Sequence, residues 1–210
     1  MARVLVADDH AVVRRGVLQI LEEAPDRVTA DEASTGHEVL QAVRERDYDV
    51  VLLDIALPDS NGLEVLKQLQ SLKPDLNVLI LSIYPEKQYA VRALKAGAAG
   101  YLTKDSAPDE LIAAIRTVAR GGKYITLSLA EKLADEVGGE VEKPAHEALS
   151  DREYQVMCLL AMGKTITEIA EELSLSVKTV STYRARLLRK LGLNNTAEII
   201  RYALKRKLVE

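Results

Sequence analysis

An uninterrupted apolar run that ends in a carboxylate constrains the fold of this chain more than any other stretch. Residues 50–53 read Val-Val-Leu-Leu, Asp54 follows at once, and Pro58 and Gly62 mark a loop after it. A short apolar run between polar ends predicts a strand buried on both faces, as in a parallel sheet covered by helices. Asp54 is therefore expected at the carboxyl end of such a strand, where open α/β sheets build their sites.

The first 122 residues alternate strand-like and helix-like segments around this run. Five strands are predicted, at residues 3–7, 27–34, 50–53, 77–82 and 100–104. Helical spacing fills the intervals, and the last helix has Pro108 in its first turn, with Ser106 as the expected cap. This alternation predicts an α/β fold, a flavodoxin-like, doubly wound, five-stranded parallel sheet.

The strand ends would bring charged and hydroxyl side chains together. Asp8 and Asp9 end the first strand, Asp54 the third, Ser82 the fourth and Lys104 the fifth. Adjacent carboxylates repel unless a cation lies among them, and hard oxygen ligands suit Mg²⁺. A carboxylate beside Mg²⁺ and a lysine can attack a phosphoryl group. Helix capping or solvation would explain any one of these residues, but all five together favour phosphoryl transfer.

The last 63 residues predict a small all-α domain of four helices. Ser150 and Thr165 each precede a glutamate by three residues, as in a capping box, and Ser176 is the expected cap of a third helix over residues 177–191. A fourth helix follows Gly192. A short helix, a tight turn and a longer basic helix are the arrangement of a helix-turn-helix.

Charge divides the chain in the same way. The net charge is −5 over residues 1–122, −3 over residues 123–147 and +4 over residues 148–210. The third helix has five basic residues and no acid, and such a face suits contacts with the phosphates of a nucleic acid. A merely solvated helix face is the alternative, which charge of a single sign makes the weaker interpretation.

Residues 123–147 are interpreted as a linker. The stretch 138–144 contains two glycines, a proline and charged residues without periodicity, and a short amphipathic helix over residues 127–137 is compatible with its leucine spacing. The domains are thus expected at residues 1–122 and 148–210. No apolar run reaches the roughly 18 residues of a membrane span, and no export signal is recognisable, so a soluble cytoplasmic protein without a membrane partner is expected.

Residues 3–121 resemble the receiver domain of two-component response regulators. The resemblance is carried by Asp8-Asp9, Asp54 with Pro58 and Gly62, Ser82, and Tyr101-Leu102-Thr103-Lys104-Asp105. It implies that a sensor histidine kinase phosphorylates Asp54. It also implies that Mg²⁺ is held by Asp8, Asp9, Asp54 and the backbone carbonyl of Ala56, and that the phosphoryl group is contacted or sensed by Ser82, Tyr101 and Lys104.

Residues 149–208 resemble the LuxR-type helix-turn-helix domain of NarL/FixJ regulators. The matching stretches are residues 149–153, 178–180 and 190–192. The resemblance implies that the third helix enters the major groove and that the fourth contributes to dimerisation. The predicted DNA-binding residues are Lys178, Thr179, Ser181, Thr182, Ala185, Arg186 and Arg189. Relatives often carry lysine at the positions of Ser181 and Ala185, so the target sequence stays open.

Together these resemblances predict a transcriptional regulator rather than a turnover enzyme. Phosphorylation would uncover the third helix of the tail domain, favour a homodimer and permit binding to promoter DNA. Two alternatives remain open at this point. A phosphatase or phosphotransferase would also use an Asp, Mg²⁺, a hydroxyl and a lysine, although Ala56 stands where such enzymes carry a second Asp. A constitutive DNA-binding protein would use the first domain only to dimerise.

Overall fold

The computed structural model describes residues 2–25, 28–138 and 144–209. The chain forms two compact units, Met1–Asp135 and Glu136–Glu210, and each is described by itself. None of the described helices is long and apolar enough to cross a membrane.

The first unit contains a parallel sheet with the strand order β2-β1-β3-β4-β5, which confirms the predicted α/β fold class. Its elements are β1 (Ala2–Ala7), α1 (Ala11–Glu23), β2 (Val28–Ala33), α2 (Gly36–Glu45), β3 (Val50–Leu53), α3 (Gly62–Leu72), β4 (Val78–Ser82), α4 (Glu86–Lys95), β5 (Gly100–Thr103) and α5 (Pro108–Ala119). A sixth helix, α6 (Leu127–Gly138), follows, so a helix is present where the spacing of residues 127–137 allowed one.

The centre of the sheet is buried on both faces because its strands are apolar throughout. Val6 of β1 and Leu52 of β3 are neighbours in the sheet and pack in one cluster with Leu21 of α1 and Ile115 of α5. The alternate residues of both strands point to the opposite face and are equally buried. The polar side chains at the strand ends are therefore displayed at the edge of a rigid, dry scaffold.

Two details of the first unit differ from the sequence prediction. Ser106 does not cap α5, because the helix begins at Pro108 with Ala107 as its N-cap residue and without a side-chain cap. The fixed φ of proline suits the first helical position and sets the start there. In addition, Tyr124 pairs with the edge of the sheet: its N–H donates to the Ala99 carbonyl at 2.8 Å, and the first unit extends to Asp135. The stretch that resembles a linker in sequence thus begins as part of the first unit, and its residues 139–143 lie outside the described chain.

The second unit is helical. After a 3₁₀ turn (Ala145–Ala148) come α7 (Asp151–Ala161), α8 (Ile166–Glu172), α9 (Val177–Leu191) and α10 (Thr196–Lys205). Both predicted capping boxes, at Ser150 and at Thr165, have their two reciprocal hydrogen bonds. Ser176 caps α9, and Gly192 ends it with a φ of 66°, a left-handed conformation that glycine adopts without strain.

Candidate functional site: the acidic strand ends and the basic helix

The parallel sheet brings the predicted strand-end residues to one edge. The Asp54 N–H donates to the Ala7 carbonyl at 2.9 Å, and the Lys104 N–H donates to the Ser82 carbonyl at 2.8 Å. These main-chain bonds continue the ladders of β1–β3 and β4–β5 beyond the last strand residues. The side chains that follow are therefore fixed by the sheet itself and not by mobile loops.

Lys104 joins two buried carboxylates. Its Nζ lies 2.7 Å from Asp54 Oδ2 and 2.5 Å from Asp8 Oδ2, and its side chain is 9% exposed. Asp54 is 1% exposed, and this burial raises its pKa to about 6 although the Lys104 charge opposes the rise. Burial alone would lower the pKa of Lys104, but the two carboxylates raise it above its ordinary value. Both members of the pair are consequently ionised at neutral pH.

Asp54 and three neighbouring side chains could together hold a cation. Ligand atoms of Asp8, Asp9, His10 and Asp54, named here the acidic cluster, lie within 4.8 Å of one another. Asp54 Oδ1 is buried and has no hydrogen-bond partner among the described residues, so a carboxylate oxygen points into the cluster unsatisfied. Mg²⁺ prefers hard, anionic oxygen ligands, and the carboxylates of the cluster supply them, including the Asp54 oxygen that lacks a hydrogen-bond partner among the described residues. The three predicted carboxylates are thus brought together, and the chemistry of the donor set suits the predicted metal.

His10 was absent from the predicted ligands although it belongs to the acidic cluster. Its Nδ1 lies 2.7 Å from Asp9 Oδ1 and 3.4 Å from Asp8 Oδ1, and its backbone N–H donates to Asp8 Oδ1. The signal for it in the sequence is its position directly after the two acids. Imidazoles commonly hydrogen-bond carboxylates that surround a metal, so His10 can orient Asp9.

The loop after β3 closes tightly beneath Asp54. The Gly62 N–H donates to the Ile55 carbonyl at 2.8 Å, and Ala56 and Asn61 form an antiparallel bridge. A Cβ on Gly62 would lie 2.0 Å from the Asp54 carbonyl oxygen, so only glycine permits this approach. Ala56, the predicted carbonyl ligand, is held in a turn immediately after Asp54.

Ser82 and Tyr101 lie inside the first unit. Ser82 is fully buried, and its Oγ accepts the Tyr84 N–H at 3.3 Å. The Tyr101 hydroxyl donates to the Tyr84 carbonyl at 2.7 Å, and burial raises the pKa of this phenol. Both side chains therefore engage the backbone of the loop between β4 and α4.

In the second unit, α9 displays most of the predicted DNA-contacting residues on one face. Six of the seven are exposed, namely Lys178, Ser181, Thr182, Ala185, Arg186 and Arg189. Their spacing of three and four residues places them along one side of a helix. Thr179 is half-buried, and its hydroxyl lies 2.7 Å from Ser176 Oγ at the helix cap. The exposed face carries three cations and short side chains that allow close approach to DNA.

Two other basic residues of α9 hold the unit together. Arg184 Nε donates to Thr196 Oγ1 of α10 at 2.9 Å. Lys190 Nζ lies 2.6 Å from Glu153 Oε2, whose side chain is only 4% exposed. Burial would raise the pKa of Glu153, but Lys190 and the Ser150 backbone lower it below its ordinary value. These two cations therefore bind α9 to α7 and α10 within the second unit.

Comparison with known proteins agrees with this geometry. The family model described as "Response regulator receiver domain" matches residues 4–116. The model described as "Bacterial regulatory proteins, luxR family" matches residues 147–203. The two matches fall on the sheet with its acidic edge and on the helical unit with its basic helix.

Whole-length relatives are also similar. The chain is 35% identical to the response regulator UvrY of Escherichia coli, over 99% of this chain and 96% of that protein. It is 42% identical to the transcriptional regulatory protein UhpA of Salmonella typhimurium, over 95% of this chain and 96% of that protein. A structure of RcsB from Salmonella enterica serovar Typhimurium, bound to the promoter rprA in the presence of the phosphomimetic BeF3-, matches with a TM-score of 0.64 and 25% identity, over 96% of this chain and 98% of that one. The chain belongs to the NarL/FixJ family of response regulators, which join a receiver domain to a LuxR-type DNA-binding domain.

Proposed function

We propose that this protein regulates transcription in response to phosphorylation of Asp54 by a sensor histidine kinase. The observation that carries the proposal is the ion pair of Asp54 with Lys104 inside a buried cluster of carboxylates. An isolated surface Asp would be solvated, whereas this one is buried, is paired with Lys104 and has one oxygen without a hydrogen-bond partner among the described residues. That arrangement favours a nucleophile over a structural carboxylate.

In the proposed reaction an Asp54 oxygen forms a bond to phosphorus while the P–N bond of the phosphohistidine of the kinase breaks. Asp8, Asp9, Asp54 and the Ala56 carbonyl would hold Mg²⁺, which when bound neutralises charge on the phosphoryl oxygens. Lys104 is placed to pair with the same oxygens, since its Nζ already lies 2.7 Å from Asp54. The buried Ser82 hydroxyl of β4 is the expected hydrogen-bond donor to the phosphoryl group. Ser82 and Tyr101 are both hydrogen-bonded to the backbone of Tyr84, so Tyr101 is expected to move when Ser82 and this loop move.

The output that we propose is DNA binding by α9 as a homodimer. Its exposed cations Lys178, Arg186 and Arg189 are suited to phosphates, and the short side chains between them to base edges. The RcsB structure bound to a promoter with a phosphomimetic supports the coupling of the two events by likeness. Phosphorylation would release the second unit to dimerise on promoter DNA, and the activity belongs in the cytoplasm, where that DNA lies.

Mass spectrometry after incubation with Mg²⁺ and acetyl phosphate tests the proposal. The wild type is expected to gain one phosphoryl group, and Asp54→Asn none. Asp75→Asn is the matched control, because Asp75 is an exposed acid in the turn between α3 and β4 and should be phosphorylated like the wild type. Failure of the folded wild type to gain mass would refute the acceptor and favour constitutive DNA binding.

A second measurement separates regulation from turnover. DNA duplexes are selected from a random pool with the phosphorylated protein. Their affinity for the phosphorylated protein should be higher than their affinity for the unphosphorylated protein. The phosphatase alternative predicts instead repeated release of phosphate from acetyl phosphate, many equivalents per protein per minute, and no dependence of DNA affinity on the phosphoryl group.

A further inference from the structure

The loop that carries Asp54 is tied at its tip to a helix outside the acidic cluster. Asp59 Oδ1 accepts the Gly36 N–H at 2.8 Å, and Asp59 Oδ2 accepts the His37 N–H at 2.9 Å. Both donors lie in the first turn of α2, where backbone N–H groups have no partner within the helix and the helix dipole favours an anion. One carboxylate thus joins the loop between β3 and α3 to the start of α2.

This contact is not needed to start α2. The helix already has its own cap, because Thr35 Oγ1 accepts the Glu38 N–H at 3.1 Å. Burial would raise the pKa of Asp59, but the hydrogen bonds from Gly36 and His37 lower it below its ordinary value. The carboxylate is therefore ionised at neutral pH, and both of its hydrogen bonds to α2 are charge-assisted.

The approach of the two segments is close. A Cβ on Gly36 would lie 2.2 Å from Ser60 Oγ and 2.8 Å from Val65 Cγ2. A glycine at this position lets the loop tip lie directly on the first turn of α2. The contact is therefore built from both sides, by an acid in the loop and by the absence of a side chain in the helix.

The base of the loop has separate anchors. Gly62 is bonded to Ile55, and the buried Asn61 accepts the Leu63 N–H at 2.8 Å through Oδ1. Ala56 is bridged to Asn61 at this base, and residues 57–60 form the tip beyond it. Without the tip anchor, residues 57–60 would be held only through this bridge, so the bridge and the Ala56 carbonyl within it could shift relative to Asp54.

We propose that Asp59 is a positioning residue for Mg²⁺: by holding the loop tip on α2, it fixes the Ala56 carbonyl beside Asp54. The inference rests on the metal site of the proposed function and adds to it a residue outside the acidic cluster. The competing explanation is that Asp59 only stabilises α2. The two differ in whether loss of the carboxylate changes metal affinity or only stability.

Thr35→Ala is the matched control for this difference. It deletes the native cap of the same helix end and leaves the loop untouched, because Thr35 Oγ1 bonds to Glu38 of its own helix. Asp59→Ala removes both hydrogen bonds from the loop to α2. Asp59→Asn keeps one carbonyl acceptor and serves as the milder variant if the alanine variant folds poorly.

The experiment measures Mg²⁺ dissociation constants of the full-length variants by isothermal titration calorimetry, with Tm measured on the same samples. Loss of residues that orient metal ligands typically weakens affinity 10- to 100-fold, so about tenfold is expected for Asp59→Ala. Asp59→Asn should lose less, and Thr35→Ala should lower Tm while its Mg²⁺ affinity stays within about twofold of wild type. Hydrogen exchange of the amides of residues 56, 57 and 59–62 should accelerate most in Asp59→Ala, less in Asp59→Asn and not in Thr35→Ala.

Unchanged Mg²⁺ affinity in both folded Asp59 variants would overturn the positioning role while leaving the proposed function intact. Equal weakening by Thr35→Ala would assign the effect to α2 stability and overturn it as well. A wild type that binds no Mg²⁺ would instead refute the metal site of the proposed function, and the positioning role with it.

Discussion

Replacement of Asp54 by asparagine should stabilise the Mg²⁺-free protein at neutral and alkaline pH. Asp54 is 1% exposed and carries a charge that burial disfavours, and Lys104 compensates this cost only in part. Asparagine has a similar shape, can still accept a hydrogen bond from Lys104 and carries no charge. The substitution should therefore raise the free energy of unfolding by the part of the burial cost of the carboxylate charge that Lys104 does not offset.

The magnitude follows from the pKa of Asp54. The ordinary value is 3.8 and the value in the folded protein is about 6. A difference of about two units corresponds to about 3 kcal/mol at 1.36 kcal/mol per unit. Below pH 3.8 the carboxyl group is protonated in both folded and unfolded protein and costs nothing. Between pH 3.8 and 6 the folded protein binds the proton more tightly, so stability falls as pH rises, and above pH 6 the full cost is present.

The assay is urea unfolding followed by far-UV circular dichroism, in EDTA, at intervals from pH 4.5 to 8. The free energy of unfolding of Asp54→Asn minus that of the wild type should grow with pH and reach about 3 kcal/mol above pH 7. Asp75→Asn should show no such trend, because Asp75 is exposed. A difference that is flat with pH, or an Asp54→Asn protein that is less stable than the wild type at pH 8, would refute the argument.

Two substitutions test the scaffold in the two units. Gly62→Ala places a Cβ 2.0 Å from the Asp54 carbonyl oxygen, so the backbone must move to relieve the clash. The substitution should lower the free energy of unfolding by about 3 kcal/mol, the upper end for overpacking. Urea unfolding that matches wild type would contradict the rigidity of the loop. Lys190→Met leaves the buried Glu153 without its cation and should cost about 2 kcal/mol at pH 7. Because the pKa of Glu153 is lowered in the folded protein, this cost should vanish as pH falls below the ordinary glutamate range, and a pH-independent cost would show that lost packing is responsible.

The meeting of the three carboxylates with Lys104 could be predicted because topology alone determines it, whereas His10 of the acidic cluster was not predicted. Parallel strands share one carboxyl edge, so Asp8, Asp54 and Lys104 had to meet once their strands were recognised. No side-chain geometry was needed for that conclusion. Capping boxes at Ser150 and Thr165 were equally predictable, since their hydrogen bonds join residues three apart and depend on local conformation only.

Contacts between loops and distant elements could not be predicted in this way. The bond from Asp59 to α2 joins residues that are 22 and 23 positions apart and depends on the path of an irregular turn. The cap of α5 failed for a related reason: Ser106 has the right chemistry, but Pro108 fixes the helix start one residue too late for it.

In the proposed function, counting the charges on α9 is likewise expected to overestimate the number of its phosphate contacts, and the salt dependence of DNA binding measures by how much. Five basic residues lie in the helix, but Arg184 and Lys190 are bonded to Thr196 and Glu153. Three exposed cations per copy leave about six phosphate contacts in a dimer, and a slope of log K against log salt of about −5, at about −0.9 per contact. Arg186→Ala should reduce the slope by about two contacts per dimer, whereas Arg184→Met should leave it unchanged and lower stability instead. A wild-type slope near −9 would mean that all five cations reach phosphates and that the two packing contacts of α9 open on DNA.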